Sequence, residues 1–285
     1  MKNSKLSEKA MLVHLRISLW SGRKKDRNVT SEVLTRKKAK EDCGAWWSYL
    51  IPQREIVKIH TAQLRVRIEF HKLTLPWFDG GVRILPADMF LEYTSRMRKV
   101  VKEFNEVIDE FLKHYPQYVR EAKERLGDLF DGQKLPSKED VQNRFRVHQD
   151  IIPVPSSDDF RVNLNNEEVK KIKEQMDKSL RNLTEKAMGD LWVRFSELIE
   201  KIQTTLNQSD KKFKNSLIIN LQDFCKLIPK MNITNDASLE EMRNEVLKTL
   251  ASLDSDVLRG NKQERSKAAK KAKNILIKMK GYKGI

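Results

Sequence analysis

Residues Pro86 to Tyr115 read PADMFLEYTSRMRKVVKEFNEVIDEFLKHY, and apolar side chains recur through them at intervals of three and four positions. Because an α-helix has about 3.6 residues per turn, this spacing places the apolar side chains on one face. The stripe consists of Met89, Tyr93, Met97, Val100, Phe104, Val107, Phe111 and Tyr115. Proline near Asp88 is typical of a helix start, whereas Pro116 should kink or break the helix because proline lacks a backbone donor. The stretch therefore predicts a long amphipathic helix.

A second helical pattern follows Asn165 and Asn166, whose side chains are suited to capping a helix. Its stripe contains Val169, Ile172, Met176, Leu180, Leu183, Ala187, Leu191, Phe195, Leu198, Ile202 and Leu206. So long a helix needs another helix to cover its apolar side. We therefore predict a long antiparallel helical pair with the 89–126 helix, followed by two shorter C-terminal helices and a lysine-rich last helix after Gly260.

The segments outside these helices predict a small antiparallel β-sheet. Asp79-Gly80-Gly81 lies between apolar flanks within 74–85, which is typical of a tight hairpin because glycine accepts positive φ. Pro76 places the first hairpin strand at a sheet edge. Phe145–Ile152 and Asp159–Leu164 predict two more short strands. Residues 8–20 fit either a short amphipathic helix or a buried strand, and the length of 54–73 favours a helix over a strand.

These patterns predict a mainly α protein of the α+β class, organised in four segments. Residues 1–52 form a basic N-terminal segment, in which 21–40 is expected to be a surface loop plus a short helix. Residues 53–208 form a helical core that includes the small sheet, at 74–85 and 144–164. Residues 209–260 contain the C-terminal helices, and residues 261–285 form a basic C-terminal helix or tail.

Positive charge is concentrated at the two ends of the chain. The 285 residues include 56 Lys and Arg against 40 Asp and Glu, a net charge of +16. Residues 1–50 carry 12 basic and 5 acidic side chains, and residues 251–285 carry 10 and 3. Such an excess predicts a polyanionic partner, above all nucleic acid, although a charge run is often only a solvated face. The predicted contacts are Arg23, Lys24, Lys25, Arg36, Lys37, Lys38, Lys262, Arg265, Lys267, Lys270, Lys271 and Lys273.

Two tryptophans, Trp46 and Trp47, follow the first basic runs. Basic residues beside exposed aromatic rings suit single-stranded nucleic acid, whose bases stack on the rings. Tryptophan usually belongs to a core, however. We therefore expect at least one of Trp46 and Trp47 to be buried, and we expect the same of Trp77 and Trp192.

No pattern of catalytic residues is found in the sequence. It contains no phosphate-binding glycine loop, no Gly-x-Ser-x-Gly elbow and no paired histidine ligands. A nuclease built from dispersed carboxylates such as Asp158 and Asp159 is the least favoured alternative. We therefore expect a protein that is not an enzyme and has no cofactor or metal. No segment has the length of a membrane span, and no secretory signal is recognisable, so we expect no membrane association and a cytoplasmic location.

Three strings resemble a known family. They are ISLWSGRKK at Ile17–Lys25, LPWFDGGVRILP at Leu75–Pro86, and PVP at Pro153–Pro155 followed by DFRV at Asp159–Val162. The likeness is to a domain of unknown function found in proteins of tailed bacteriophages and prophages. Its members are often encoded near a MoxR-group AAA-type ATPase and a von Willebrand A-type partner. The resemblance implies a role beside that ATPase and supplies no catalytic residue.

The charge and the resemblance together predict a non-enzymatic phage-type accessory protein that binds nucleic acid through its basic termini. It would act in the cytoplasm, which is the host cytoplasm if a phage encodes it. The alternative is a protein-interaction module, such as an adaptor for the AAA-type ATPase or an inhibitor of a host factor. A long apolar stripe can also pair across a dimer, so a homo-oligomer remains open.

Overall fold

The computed structural model describes residues 6–130, 135–156, 165–208 and 213–282. It is mainly α with a small antiparallel sheet, as predicted, and it also has a second, two-stranded sheet that was not predicted. The described helices are α1 Leu6–Lys9, α2 Arg27–Arg36, α3 Gln53–Leu73, α4 Phe90–Leu126, α5 Lys138–Gln142, α6 Asn166–Asn207, α7 Asn215–Met231, α8 Ala237–Thr249, α9 Ser255–Gly260 and α10 Lys262–Met279. The described strands are β1 Ala10–Ser18, β2 Arg23–Asp26, β3 Trp46–Tyr49, β4 Leu75–Pro76, β5 Val82–Pro86 and β6 Arg146–Pro153.

The chain divides into two compact units, each assembled from separate stretches of sequence. Unit 1 comprises Met1–His14, His71–Tyr93 and Asp150–Ile285, and unit 2 comprises Leu15–Phe70 and Thr94–Gln149. Each unit therefore has its own apolar interior and is described by itself below.

The larger sheet has the strand order β4-β5-β1-β6. Strands β4 and β5 form the predicted hairpin, with Leu75 opposite Ile84, and Gly81 in the turn has φ +86°. Pro76 lies in an edge strand, as predicted, where its missing N–H breaks no ladder. For residues 8–20 the structure decides in favour of a strand, since β1 pairs with β5 from Ala10 to His14. The strand predicted at Asp159–Leu164 lies outside the described residues.

Helix α6 has the cap that the sequence predicts, but its long antiparallel partner differs from the prediction. The Asn165 side chain accepts a hydrogen bond from the Glu168 backbone N–H at 2.8 Å. Arg265 at the start of α10 contacts the end of α6. Tyr282, just after the end of α10, stacks on Trp192 of α6 with 4.9 Å between the ring centroids, so α10 runs antiparallel to α6. The prediction named the 89–126 helix instead.

Small side chains explain this choice of partner. Helix α10 turns Ala268, Ala269 and Ala272 inward together with Ile275 and Met279, and all five are buried. Alanines allow close helix contact, yet they add little to an apolar stripe in the sequence. Because α10 is rich in lysine, its buried face could not be recognised in the sequence.

In unit 2, helices α3 and α4 run antiparallel to each other. Arg96 contacts Glu69 at 3.3 Å, and towards the other end burial and the nearby Glu55 carboxylate raise the pKa of Tyr118. Helix α4 is not broken at Pro116 and continues to Leu126. The aromatic side chains around the proline are buried and hold the backbone in place, and the Tyr115 hydroxyl donates to the Pro136 carbonyl at 2.7 Å.

Candidate nucleic-acid interface

The first basic run forms one strand of a two-stranded ribbon in unit 2. Strand β2 pairs antiparallel with β3, with Arg23 opposite Tyr49 and Lys25 opposite Trp47. Gly22 enters the ribbon at φ +64°, and its carbonyl accepts from the Leu50 N–H at 2.8 Å. The predicted surface loop over 21–40 is therefore in part a strand, because it pairs with residues some twenty positions away that sequence periodicity does not connect.

One face of this ribbon combines two cations with two aromatic rings. Side chains alternate across a strand, so Arg23, Lys25, Trp47 and Tyr49 share a face. We call these four residues the aromatic–cationic face. Trp47 is 43% exposed and Tyr49 is 46% exposed, and the Arg23 guanidinium lies 4.9 Å from the centroid of the Trp47 ring. That distance is a cation–π contact, which orients the indole without burying it.

The opposite face of the ribbon carries Lys24, Asp26, Trp46 and Ser48. Asp26 is buried and caps α2 by accepting from the Asn28 and Val29 backbone N–H groups, both at 3.1 Å. Trp46 is 46% exposed, so the expectation that at least one of Trp46 and Trp47 is buried is wrong. On this face the small and polar side chains Asp26 and Ser48 are buried, whereas Lys24 and Trp46 remain exposed.

Tryptophans elsewhere in the chain follow the usual rule. Trp77 is 1% exposed and Trp192 is 3% exposed, as predicted. Trp20 is also buried, so Trp46 and Trp47 of the ribbon are the two exposed tryptophans among the five.

Helix α2 extends the basic surface of the ribbon. Residues 23–40 carry eight basic and two acidic side chains. Arg36 in the last turn of α2 is exposed, and so are Lys37 and Lys38, which follow the helix. Within the described ranges, no carboxylate lies within 4.0 Å of these three cations or of Arg23, Lys24 and Lys25. We call these six residues the N-terminal basic surface.

The second basic surface lies on α10 in unit 1. Its alanines and Ile275 face inward, while the lysines occupy the solvent side of the helix. Lys262, Lys270, Lys271 and Lys273 are exposed, and no described carboxylate lies within 4.0 Å of them. Lys267 is also exposed but pairs with Glu264 at 2.9 Å. We call these five lysines the C-terminal basic surface.

Arg265 has a structural position that the sequence does not reveal. Its guanidinium donates to the carbonyls of Thr205, Leu206 and Gln208, at 2.9, 3.0 and 2.5 Å. The last carbonyls of a helix have no partner within the helix, so Arg265 caps the end of α6. We therefore leave Arg265 out of the C-terminal basic surface.

A cleft of about 700 Å³ lies between α3 and α4 in unit 2. Its charges are mixed and locally paired, with Lys58 2.7 Å from Glu55 and His114 2.8 Å from Glu110. A cleft with balanced charge offers no surface for a polyanion.

Neither a metal site nor a membrane span is found in the described part of the chain. No three His, Cys, Asp or Glu side chains are grouped so that they could hold a metal ion. No described helix combines the length and apolar character needed to cross a bilayer. Asp158 and Asp159, named above for a nuclease, lie outside the described residues.

Comparison with known proteins adds one match. A family model described as "Protein of unknown function (DUF3150)" matches residues 7–215, which contain the ribbon and most of both units. No curated protein and no solved structure matches the chain. Helix α10 lies beyond the matched residues.

Proposed function

We propose that this chain, which belongs to the DUF3150 family, is a non-enzymatic protein that binds nucleic acid through its N-terminal and C-terminal basic surfaces. The proposal is supported by the exposure of the basic side chains and by the lack of carboxylates near them. Ten of the twelve basic residues named from the sequence are exposed and have no carboxylate within 4.0 Å in the described part of the chain. The two exceptions are Arg265 and Lys267.

Free surface cations matter because of the counterions on nucleic acid. Each phosphate that a lysine or arginine neutralises releases condensed counterions, which makes binding favourable and sensitive to salt. A cation already paired with a carboxylate gains less from this exchange. Ten of these cations, all except Lys267 on the two surfaces, are therefore in the exposed and unpaired state that this mode of binding needs.

The test measures affinity for a labelled oligonucleotide by fluorescence anisotropy at several salt concentrations. We compare the wild type with two triple variants, Arg23→Gln/Lys24→Gln/Lys25→Gln and Lys270→Gln/Lys271→Gln/Lys273→Gln. Each phosphate contact contributes about −0.7 to the logarithmic salt slope for single strands. Each triple variant should therefore make the slope shallower by about 2.

A matched control uses lysines that are exposed but paired. Lys102 lies 3.8 Å from Glu106 and Lys113 lies 3.9 Å from Glu110, both on α4. Lys102→Gln/Lys113→Gln should leave the slope unchanged. Substitution is preferable to deleting residues 261–285, since loss of α10 would uncover the apolar side of α6. If the wild type shows no salt-dependent binding to DNA or RNA at low ionic strength, the proposal is refuted.

The biological setting that we propose comes from the sequence resemblance. The chain would be a phage or prophage accessory protein that acts in the host cytoplasm beside an AAA-type ATPase. Purified with that ATPase, it should form a complex that persists after nuclease treatment if the two proteins touch directly.

A second candidate function, as a protein-interaction module, is favoured by one feature of unit 2. Val57, Leu64 and Ile68 lie on one face of α3 and are 58%, 54% and 64% exposed. An apolar stripe left in solvent is typical of a protein contact. Leu64→Lys should weaken ATPase binding without changing the salt slope for nucleic acid, which separates this function from the first.

A further inference from the structure

We infer that the aromatic–cationic face of the ribbon binds single-stranded nucleic acid by stacking bases on Trp47 and Tyr49. This inference rests on the proposed function and deepens it, because it names the class of nucleic acid and the residues that recognise it. The C-terminal basic surface carries no comparable pair of rings, so the inference concerns the ribbon alone.

Exposure of the two rings is the first argument. Trp47 and Tyr49 leave nearly half of their surface in solvent, at 43% and 46%. Single exposed apolar residues are common and need no explanation. Two aromatic side chains on one face, each opposite a cation, are a different arrangement, since they offer stacking surfaces and phosphate partners together.

The spacing of the rings is the second argument. Trp47 and Tyr49 are two residues apart on β3, so their Cα atoms are separated by about 6.7 Å. That distance is about twice the 3.4 Å rise per base along one strand of a duplex. Neighbouring bases in a duplex remain stacked on each other and show only their edges. Two successive bases can therefore stack on the two rings only in a strand that has opened out of the duplex.

The positions of the cations are the third argument. Arg23 lies opposite Tyr49 and Lys25 lies opposite Trp47, within the roughly 5 Å that separates cross-strand neighbours. A phosphate that links two stacked bases would thus meet the positive charges of Lys25 and of Arg23, whose guanidinium lies 4.9 Å from the centroid of the Trp47 ring. Arg125 adds a further exposed cation nearby, and it donates to the Tyr49 carbonyl at 2.8 Å.

The experiment compares affinities for single strands and duplex under the same salt conditions. The probes are fluorescein-labelled oligothymidine and oligouridine of twelve nucleotides and a twelve-base-pair DNA duplex. We expect the single strands to bind more tightly than the duplex. Trp47→Ala and Tyr49→Ala should each weaken single-strand binding about 5- to 150-fold, which is the usual effect of losing one stacked base.

Trp46 provides a matched control, because it has the same side chain and similar exposure but lies on the opposite face of the ribbon. Trp46→Ala should change single-strand affinity less than threefold or so, which is small beside the loss expected from one stacked base. Trp47→Phe keeps a ring for stacking and should retain most of the affinity. It should also lose most of the quenching of tryptophan emission that a stacked base causes in the wild type. Circular dichroism of each variant checks that the fold is intact.

The outcomes separate this inference from the proposed function. If no nucleic acid binds at all, both are refuted. If the duplex binds as tightly as the single strands, or if Trp47→Ala behaves like Trp46→Ala, the stacking inference is refuted while binding through the basic surfaces stands.

Discussion

Replacing Arg265 by alanine tests whether this residue is a helix cap or a phosphate contact. The wild-type guanidinium donates to three carbonyls at the end of α6, at distances between 2.5 and 3.0 Å. A net hydrogen bond from a charged donor is worth about 1.5–3 kcal/mol. Because Arg265 is partly solvent-exposed and its three bonds are not additive, we expect Arg265→Ala to lower the free energy of unfolding by about 2–4 kcal/mol.

Urea and thermal unfolding measure this loss, with Lys270→Ala as the control on the same helix. At about 2–4 °C per kcal/mol, Arg265→Ala should lower Tm by about 5–15 °C. Lys270→Ala changes an exposed side chain and should stay within about 0.5 kcal/mol of the wild type. Arg265→Lys should recover only part of the stability, since an ammonium cannot reproduce the planar fork of donors.

For nucleic-acid binding, the effects of the two substitutions should be the reverse of their effects on stability. Lys270→Ala should make the salt slope shallower by about 0.7, whereas Arg265→Ala, measured where it is fully folded, should leave the slope unchanged. If Arg265→Ala is as stable as the wild type and its salt slope is shallower, the guanidinium binds phosphate and does not cap α6. That result would refute the capping argument.

Three further predictions concern other residues. Burial raises the pKa of the Cys225 thiol to about 12, so a maleimide at pH 8 should label only exposed Cys43 in the folded protein and both thiols in urea; fast labelling of two thiols before unfolding would contradict this. The Ser48 hydroxyl is buried without a partner among the described residues, so Ser48→Ala should leave the stability unchanged or raise it by about 1 kcal/mol in urea unfolding. Thr30→Val removes the hydroxyl that accepts a hydrogen bond from the Trp46 N–H at 2.9 Å, so it should lower the free energy of unfolding by about 1 kcal/mol. Equal effects of the two substitutions would contradict the view that only the Thr30 hydroxyl has a partner among the described residues. Gly22→Ala places a side chain on a residue with φ +64° and brings its Cβ to 2.9 Å from the Ile56 side chain of α3, so it should lower Tm. An unchanged Tm would show that the backbone at Gly22 relaxes freely.

Much of the secondary structure could be predicted because its signals are local. The helix at 53–73, the hairpin around Gly81 and the Asn165 cap each depend on residues within a few turns of one another. Of the kink or break expected at Pro116, the break does not occur, since α4 continues past the proline among buried aromatic neighbours to Leu126.

The candidate site was predictable in its charges and not in its arrangement. Counting Lys and Arg identified both basic ends, but the count could not separate Arg265, which caps α6, from Lys270, which faces solvent. Tyr49 was missed entirely, since its only signal was the alternation Trp47-Ser48-Tyr49, which has meaning only once β3 is known to be a strand.

By itself, the sequence determined the helical class, the position of the hairpin and the concentration of positive charge at the two ends, because composition and periodicity are properties of short stretches. Only the tertiary structure decided that α10 covers α6, that Trp46 and Trp47 stay in solvent, and which cations remain unpaired. These features depend on which distant segments pack together. Side chains as small as those of Ala268 and Ala272 set that choice, and they leave almost no trace in the hydrophobic pattern.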